Sequence, residues 1–211
     1  MLNQLQKDAL TEFMNIYIGQ AASLLSEIVD ERIQLKIPEI HLVSMSSNIE
    51  TKFDASSLFP KGHVLSSSIS FGSDFTGKAR LVFPAEKTGQ LVNLCLGEDT
   101  YEEEVTPNKL SDTDSDAVRE IGNIVLNAVV GGLGNLMEIK LNYSLPDIEL
   151  LFFPNVEENI AIEEDFYVLV IKNTFSFASS EIEGAILVVL SIESVSYLIK
   201  KIDEVLLDVY N

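Results

Sequence analysis

The chain repeats itself. Asp8, Glu12 and Asn15 return as Asp116, Glu120 and Asn123, each 108 residues later, and Pro38 returns as Pro146 at the same offset. Each copy follows the pattern D-x3-E-x2-N-x22-P, within DALTEFMNIYIGQAASLLSEI in the first half and SDAVREIGNIVLNAVVGGLGNL in the second. Four positions agreeing at one offset mark a tandem duplication, so the fold must be built from two units of the same order.

Hydrophobic spacing sets what each unit contains. Residues about 4–29 predict a helix, with Leu5, Leu10, Phe13, Ile16, Ala21, Leu24 and Ile28 as its apolar positions. A short strand over about 37–43 follows, then a β-hairpin over 62–83 that turns through Gly72, Ser73, Asp74 and Gly77. Pro84 opens a helix over about 85–96, where its missing N–H costs nothing. In the second half, Ser111 and Asp114 form a capping box for a helix reaching about Met137. Strands over about 139–145 and 148–153, a hairpin over 166–189 turning at Ala178–Ser180, and a last helix from Ser191 to about Leu206 complete it. The acidic stretch Gly97–Asn108 joins repeats of about 4–97 and 111–208. The expected fold is α+β, one pseudo-two-fold domain over 1–211. Its two helix–strand–hairpin–helix units share one antiparallel sheet, with the long motif helices on its face.

Composition narrows the function. A net charge of −19 and three scattered arginines, Arg32, Arg80 and Arg119, do not serve a phosphate backbone, so no nucleic acid is expected as partner. No membrane insertion is expected either, because no apolar run approaches the ~18 residues of a spanning helix. The first residues lack the basic and apolar regions of a signal peptide, which makes the cytoplasm the default location. Cys95 stands alone, so neither a disulfide framework nor a sulfur-rich zinc site is available, and it reads as a buried small apolar residue. His41 and His63 fall on predicted strands without partners at ligand spacing, and no metal site is expected.

The repeated polar residues remain. A helical residue advances about 100°, so positions i, i+4 and i+7 share an arc of roughly 60°. Asp8, Glu12 and Asn15 therefore form one stripe and Asp116, Glu120 and Asn123 its twin, opposite the apolar positions and facing solvent or a partner. One such stripe is an ordinary solvated face. A stripe that keeps its identity through duplication, while its surroundings drift, calls for a function. Asn cannot titrate and is neither base nor nucleophile, but its amide donates and accepts, which suits orienting water. Gln does this in GTPases, where catalysis is largely positioning of the attacking water. Glu, one turn away, suits the anchoring of a cationic side chain. With no phosphate cradle and no nucleophile–base pair in the chain, a phosphoryl group and its metal would come from the partner.

The doubled motif, in the two segments quoted, resembles the CheC/CheX/FliY family of chemotaxis phosphatases over nearly the whole chain, and most of all its CheC type. The resemblance implies a hydrolase acting on the aspartyl phosphate of a CheY-like response regulator in two-component signalling. The chain itself would need no cofactor, and Mg2+ would sit in the regulator. Asn15 and Asn123 would orient the hydrolytic water, and Glu12 and Glu120 would pair with the regulator's active-site lysine. Asp8 and Asp116 would help place the docking face, while Pro38 and Pro146 would fix the exit from helix to strand. The rival expectation is a non-catalytic adaptor, or a rotor-switch-like protein, that binds CheY-type or CheD-type partners; a CheD-like deamidase is a further partner the resemblance allows. Between Glu and Asn the second copy has Ile121-Gly122, the small residue the family favours, and the first has Phe13-Met14. Met14 is expected to crowd the first site, leaving Asn123 the stronger.

Overall fold

The computed structural model describes residues 2–30, 32–45, 62–73, 75–96, 111–153, 166–177 and 180–210. Helix α1 spans Gln4–Val29 and α3 spans Asp112–Met137, 26 residues each. Both begin in a capping box, Asn3 with Gln6 and Ser111 with Asp114, which satisfies two end N–H groups at each start. Both end on a residue in the left-handed region, Asp30 at φ 52° and Glu138 at φ 58°, again one repeat apart. A side chain in that region costs about 1–2 kcal/mol, and the return is a sharp stop that turns the chain toward the sheet. At α3 the stop is closed by Glu138 N–H donating to the Asn135 carbonyl at 3.1 Å and Ile139 N–H to that of Gly134 at 2.9 Å. These caps make the exit from each motif helix. Pro38 and Pro146 do something else: each separates two short strands, because a residue without an N–H interrupts the ladder.

The first unit continues with β1 (Gln34–Leu35), β2 (Glu39–Met45), β3 (Gly62–Gly72) and β4 (Gly77–Pro84), a single 3-10 turn at Ala85–Lys87, and α2 (Thr88–Leu96). After α3 come β5 (Asn142–Tyr143), β6 (Asp147–Phe153), β7 (Phe166–Phe177), β8 (Ser180–Leu190) and α4 (Ile192–Tyr210). The strand predicted over 37–43 is thus two strands flanking Pro38, and that over 139–145 shrinks to β5. All pairings are antiparallel, in the order β1-β7-β8-β4-β3-β5, with β2 also on β7 and β6 also on β3. The order reads the same from either end once the units are exchanged. Strands β4 and β8 meet at the centre, with Leu81 opposite Ile186. Each unit's two short strands then cross over to cover the hairpin edge of the other unit. Without that exchange both hairpins would present an open row of N–H and C=O groups.

Strands β7 and β8 bury apolar residues on both faces, which is why each contains an unbroken apolar run. Leu169, Ile171, Ile186 and Val188 join the core beneath the helices. Their alternates Val168, Val170, Ala185 and Leu187 join Val82 and Phe166 in a smaller cluster on the other face. From above, α1 contributes Leu10, Met14, Ile18, Ala21, Ala22, Leu25 and Val29. From α3 come Val118, Gly122, Leu126, Val129, Val130, Leu133 and Met137, each the repeat mate of a buried α1 residue. Four positions expected in the α1 core are instead exposed: Leu5 (47%), Ile16 (58%), Leu24 (49%) and Ile28 (52%). Helix α1 carries apolar residues in two rows, and the sheet takes only one.

Three polar ties hold α4 to the motif helices, one of them Tyr197 Oη donating to the Met137 carbonyl at 3.2 Å. Gln6 Nε2 donates to Asp203 Oδ1 at 2.7 Å, and Lys201 Nζ donates to Glu138 Oε2 at 2.8 Å. Hydrogen bonds from Lys201 to Glu138 and Glu204 push its ammonium well above the usual lysine range. The linker Gly97–Asn108, the turn residues Asp74, Ala178 and Ser179, and the Cys95 side chain lie outside the described residues. Among the described residues no helix is long and apolar enough to cross a membrane.

Candidate functional site

Helical geometry assembles each predicted trio on its own helix. In α1, Asp8 and Glu12 are exposed and Asn15 is half-buried; in α3, Asp116 and Glu120 are exposed and Asn123 is half-buried. The prolines are not part of either stripe, since Pro38 lies between β1 and β2 and Pro146 between β5 and β6. Both aspartates are engaged within their own helix. Gln4 Nε2 donates to Asp8 Oδ1 at 2.7 Å, and the Arg119 guanidinium pairs with Asp116. Glu12 and Glu120 have no ion pair among the described residues, so their carboxylates remain open to an incoming cation.

The two asparagines differ. Asn127 Nδ2 donates to Asn123 Oδ1 at 2.8 Å, one turn along α3. Asn15 has no hydrogen-bond partner among the described residues, and the repeat mate of Asn127 is Gly19. Asn127 was not singled out in the sequence. The signal was its i+4 spacing from Asn123, which puts it on the same stripe.

Met14 and Gly122 do not flank the stripes. Met14 is fully buried in the core, at 0% exposure, and cannot crowd an approaching partner. Gly122 is buried too, against β3: a Cβ there would lie 2.0 Å from Ser67 Oγ and 2.5 Å from Ser67 Cβ. The glycine lets α3 seat closely on the sheet, whereas the equivalent place in α1 is filled by a whole methionine. One residue from the stripe is about 100° of helix, and that turn carries both inward. What does flank the first site is Ile16, one turn beyond Glu12 and open to solvent; its mate Ile124 is half-buried.

Among the described residues no group of His, Cys, Asp and Glu could hold a metal ion. His41 Nε2 lies 2.7 Å from Glu39 Oε1, and the His63 ring packs edge-on against Phe152 at 5.0 Å. Gly131, Gly132 and Gly134 sit within α3, and a Cβ on Gly132 would meet the Tyr17 ring at 2.6 Å, so close helix packing accounts for it. Each stripe thus brings an exposed carboxylate and a half-buried carboxamide within one helical turn.

No protein-family model matches the chain. It is similar to the CheY-P phosphatase CheC of Bacillus subtilis (strain 168), with 25% identity over 70% of this chain and 68% of CheC. It is also similar to the flagellar motor switch phosphatase FliY of the same organism, with 22% identity over 86% of this chain but only 44% of FliY. The X-ray structure of Thermotoga maritima FliY shares the fold, with a TM-score of 0.72, 22% identity and coverage of 97% of this chain and 98% of that one. So does the FliM middle domain from H. pylori, with a TM-score of 0.62 at 11% identity, covering 95% of this chain and 99% of that one. At these identities the structural likenesses establish the α+β fold alone.

Proposed function

For a chain of the CheC/CheX/FliY family, we propose that it hydrolyses the aspartyl phosphate of a CheY-like response regulator, using either of its two motif helices. The observation that carries this reading is the pair of open Glu–Asn turns. Glu12 with Asn15, and Glu120 with Asn123, each sit one helical turn apart on a face whose carboxylate has no partner among the described residues. On docking, the carboxylate of Glu12 or Glu120 accepts hydrogen bonds from a lysine ammonium of the regulator. The neighbouring Asn amide then holds a water in line with the phosphorus. Water oxygen forms the new P–O bond as the bond to the aspartyl oxygen breaks, and inorganic phosphate leaves with the regulator's carboxylate restored. The regulator contributes the phosphoryl group and the Mg2+ beside it. Since the acyl phosphate is already reactive, positioning one water accounts for a modest acceleration of ~10- to 10³-fold.

The test is to mix the purified chain with a phosphorylated CheY-like regulator and follow phosphate release. Loss of the phosphoryl group at least tenfold faster than the spontaneous rate is expected, with turnover beyond one equivalent. Tight binding of the phosphorylated regulator with no acceleration would instead make the chain an adaptor.

A further inference from the structure

The hydrogen bond between Asn127 and Asn123 has no counterpart in the first site, and it touches the side chain that must hold water. The last torsion of an asparagine is broad and roughly two-fold, so a free amide presents its oxygen and its NH2 in either sense. Asn127 Nδ2, donating at 2.8 Å, removes that freedom: Asn123 Oδ1 is turned along α3, with one lone pair left, and the Nδ2 hydrogens have no acceptor among the described residues. Asn15 has no such guide among the described residues, because position 19 is a glycine. We infer that Asn127 is a positioning residue that locks the Asn123 amide in its working orientation, and that the first site is the slower one because Gly19 cannot do the same. This rests on the phosphatase reading above.

The geometry also allows the lock to be transplanted. Gly19 is exposed, lies in mid-helix, and an added Cβ there meets nothing within 4 Å. An asparagine at 19 stands to Asn15 as Asn127 stands to Asn123, four residues on along a regular helix.

The experiment isolates each site in the full chain and measures steady-state hydrolysis of a phosphorylated CheY-like regulator. In the Asn15→Ala background only the second site works. There Asn127→Ala is expected to lower kcat about three- to tenfold, as loss of orientation does, with KM unchanged within about twofold because Glu120 still docks. Asn127→Asp keeps the shape but can only accept, so it draws the Asn123 NH2 inward, and kcat should fall at least as far. In the Asn123→Ala background, Gly19→Asn is expected to raise kcat of the first site, and Gly19→Ala, which improves the helix without an amide, should leave it unchanged. An active Asn15→Ala protein whose kcat ignores Asn127→Ala, or a Gly19→Ala gain equal to that of Gly19→Asn, overturns the inference alone. An Asn15→Ala protein without activity beside an active wild type also overturns it, since the locked site would then be idle. Failure of the wild type to accelerate hydrolysis overturns the functional reading, and the inference with it.

Discussion

Helices α1 and α3 are two outcomes of one ancestral segment. They keep equal lengths, equal capping devices, the same left-handed stop and the same Asp–Glu–Asn stripe. They differ where they meet the rest of the molecule. Gly122 sets α3 hard against Ser67 of β3, and Gly132 receives the Tyr17 ring of α1. Helix α1 instead buries Met14 whole and leaves Ile16, Leu24 and Ile28 in solvent. The two copies keep the same buried row and the same Asp, Glu and Asn, and differ in how most buried positions are filled and at Asn127, whose mate is Gly19. A surface stripe kept through duplication is what the proposed docking role accounts for.

Three tests break or sharpen that comparison. The largest effect is expected from Met14→Gly, which would make the first copy imitate the second. Met14 fills core space, so its removal costs about 3–5 kcal/mol from the cavity and the helix-propensity loss together. Chemical denaturation checks this, and a stability change below 1 kcal/mol would show that α1 can settle onto the sheet as α3 does. The reverse change is smaller. Gly122→Ala forces a methyl into Ser67 and is expected to cost about 1–3 kcal/mol by overpacking, read as a lowered Tm. An unchanged Tm would mean that α3 is not held by that contact. The smallest effect concerns the sites themselves. Asn123→Ala should reduce total hydrolysis more than Asn15→Ala, by a factor of about three, worth roughly 0.7 kcal/mol in transition-state stabilisation. Equal losses would mean that the two copies work equally well in spite of their different surroundings.

The order of elements was legible because the duplication let each half confirm the other, and because Ser111 with Asp114 spells out a helix start. The buried row of α1 was not. Leu5, Ile16, Leu24 and Ile28 have helical spacing just as Leu10, Met14, Ile18 and Leu25 do, and periodicity does not choose between two apolar rows on one helix. The repeat held the answer: moving the α3 row, from Val118 to Met137, back by 108 residues lands on Leu10 to Val29. The helix stops were hidden for another reason. Asp30 and Glu138 adopt a conformation that glycine usually supplies, so no residue type announced them. At Met14 and Gly122 adjacency in sequence to Asn is not adjacency at the site, because one residue turns a side chain about 100° away. Asn127 carries no repeat signal, because identity between the halves marks only shared residues and its mate is Gly19.

The most direct test of the account is hydrolysis by the double variant Asn15→Ala with Asn123→Ala, measured beside its binding of the same phosphorylated CheY-like regulator. Both amides are removed while both Glu residues and the buried faces of both helices stay in place. Release of phosphate at the spontaneous rate, with affinity for the regulator kept within about threefold, is the predicted result. Wild-type hydrolysis by the double variant would contradict it and remove water positioning by these asparagines from the mechanism.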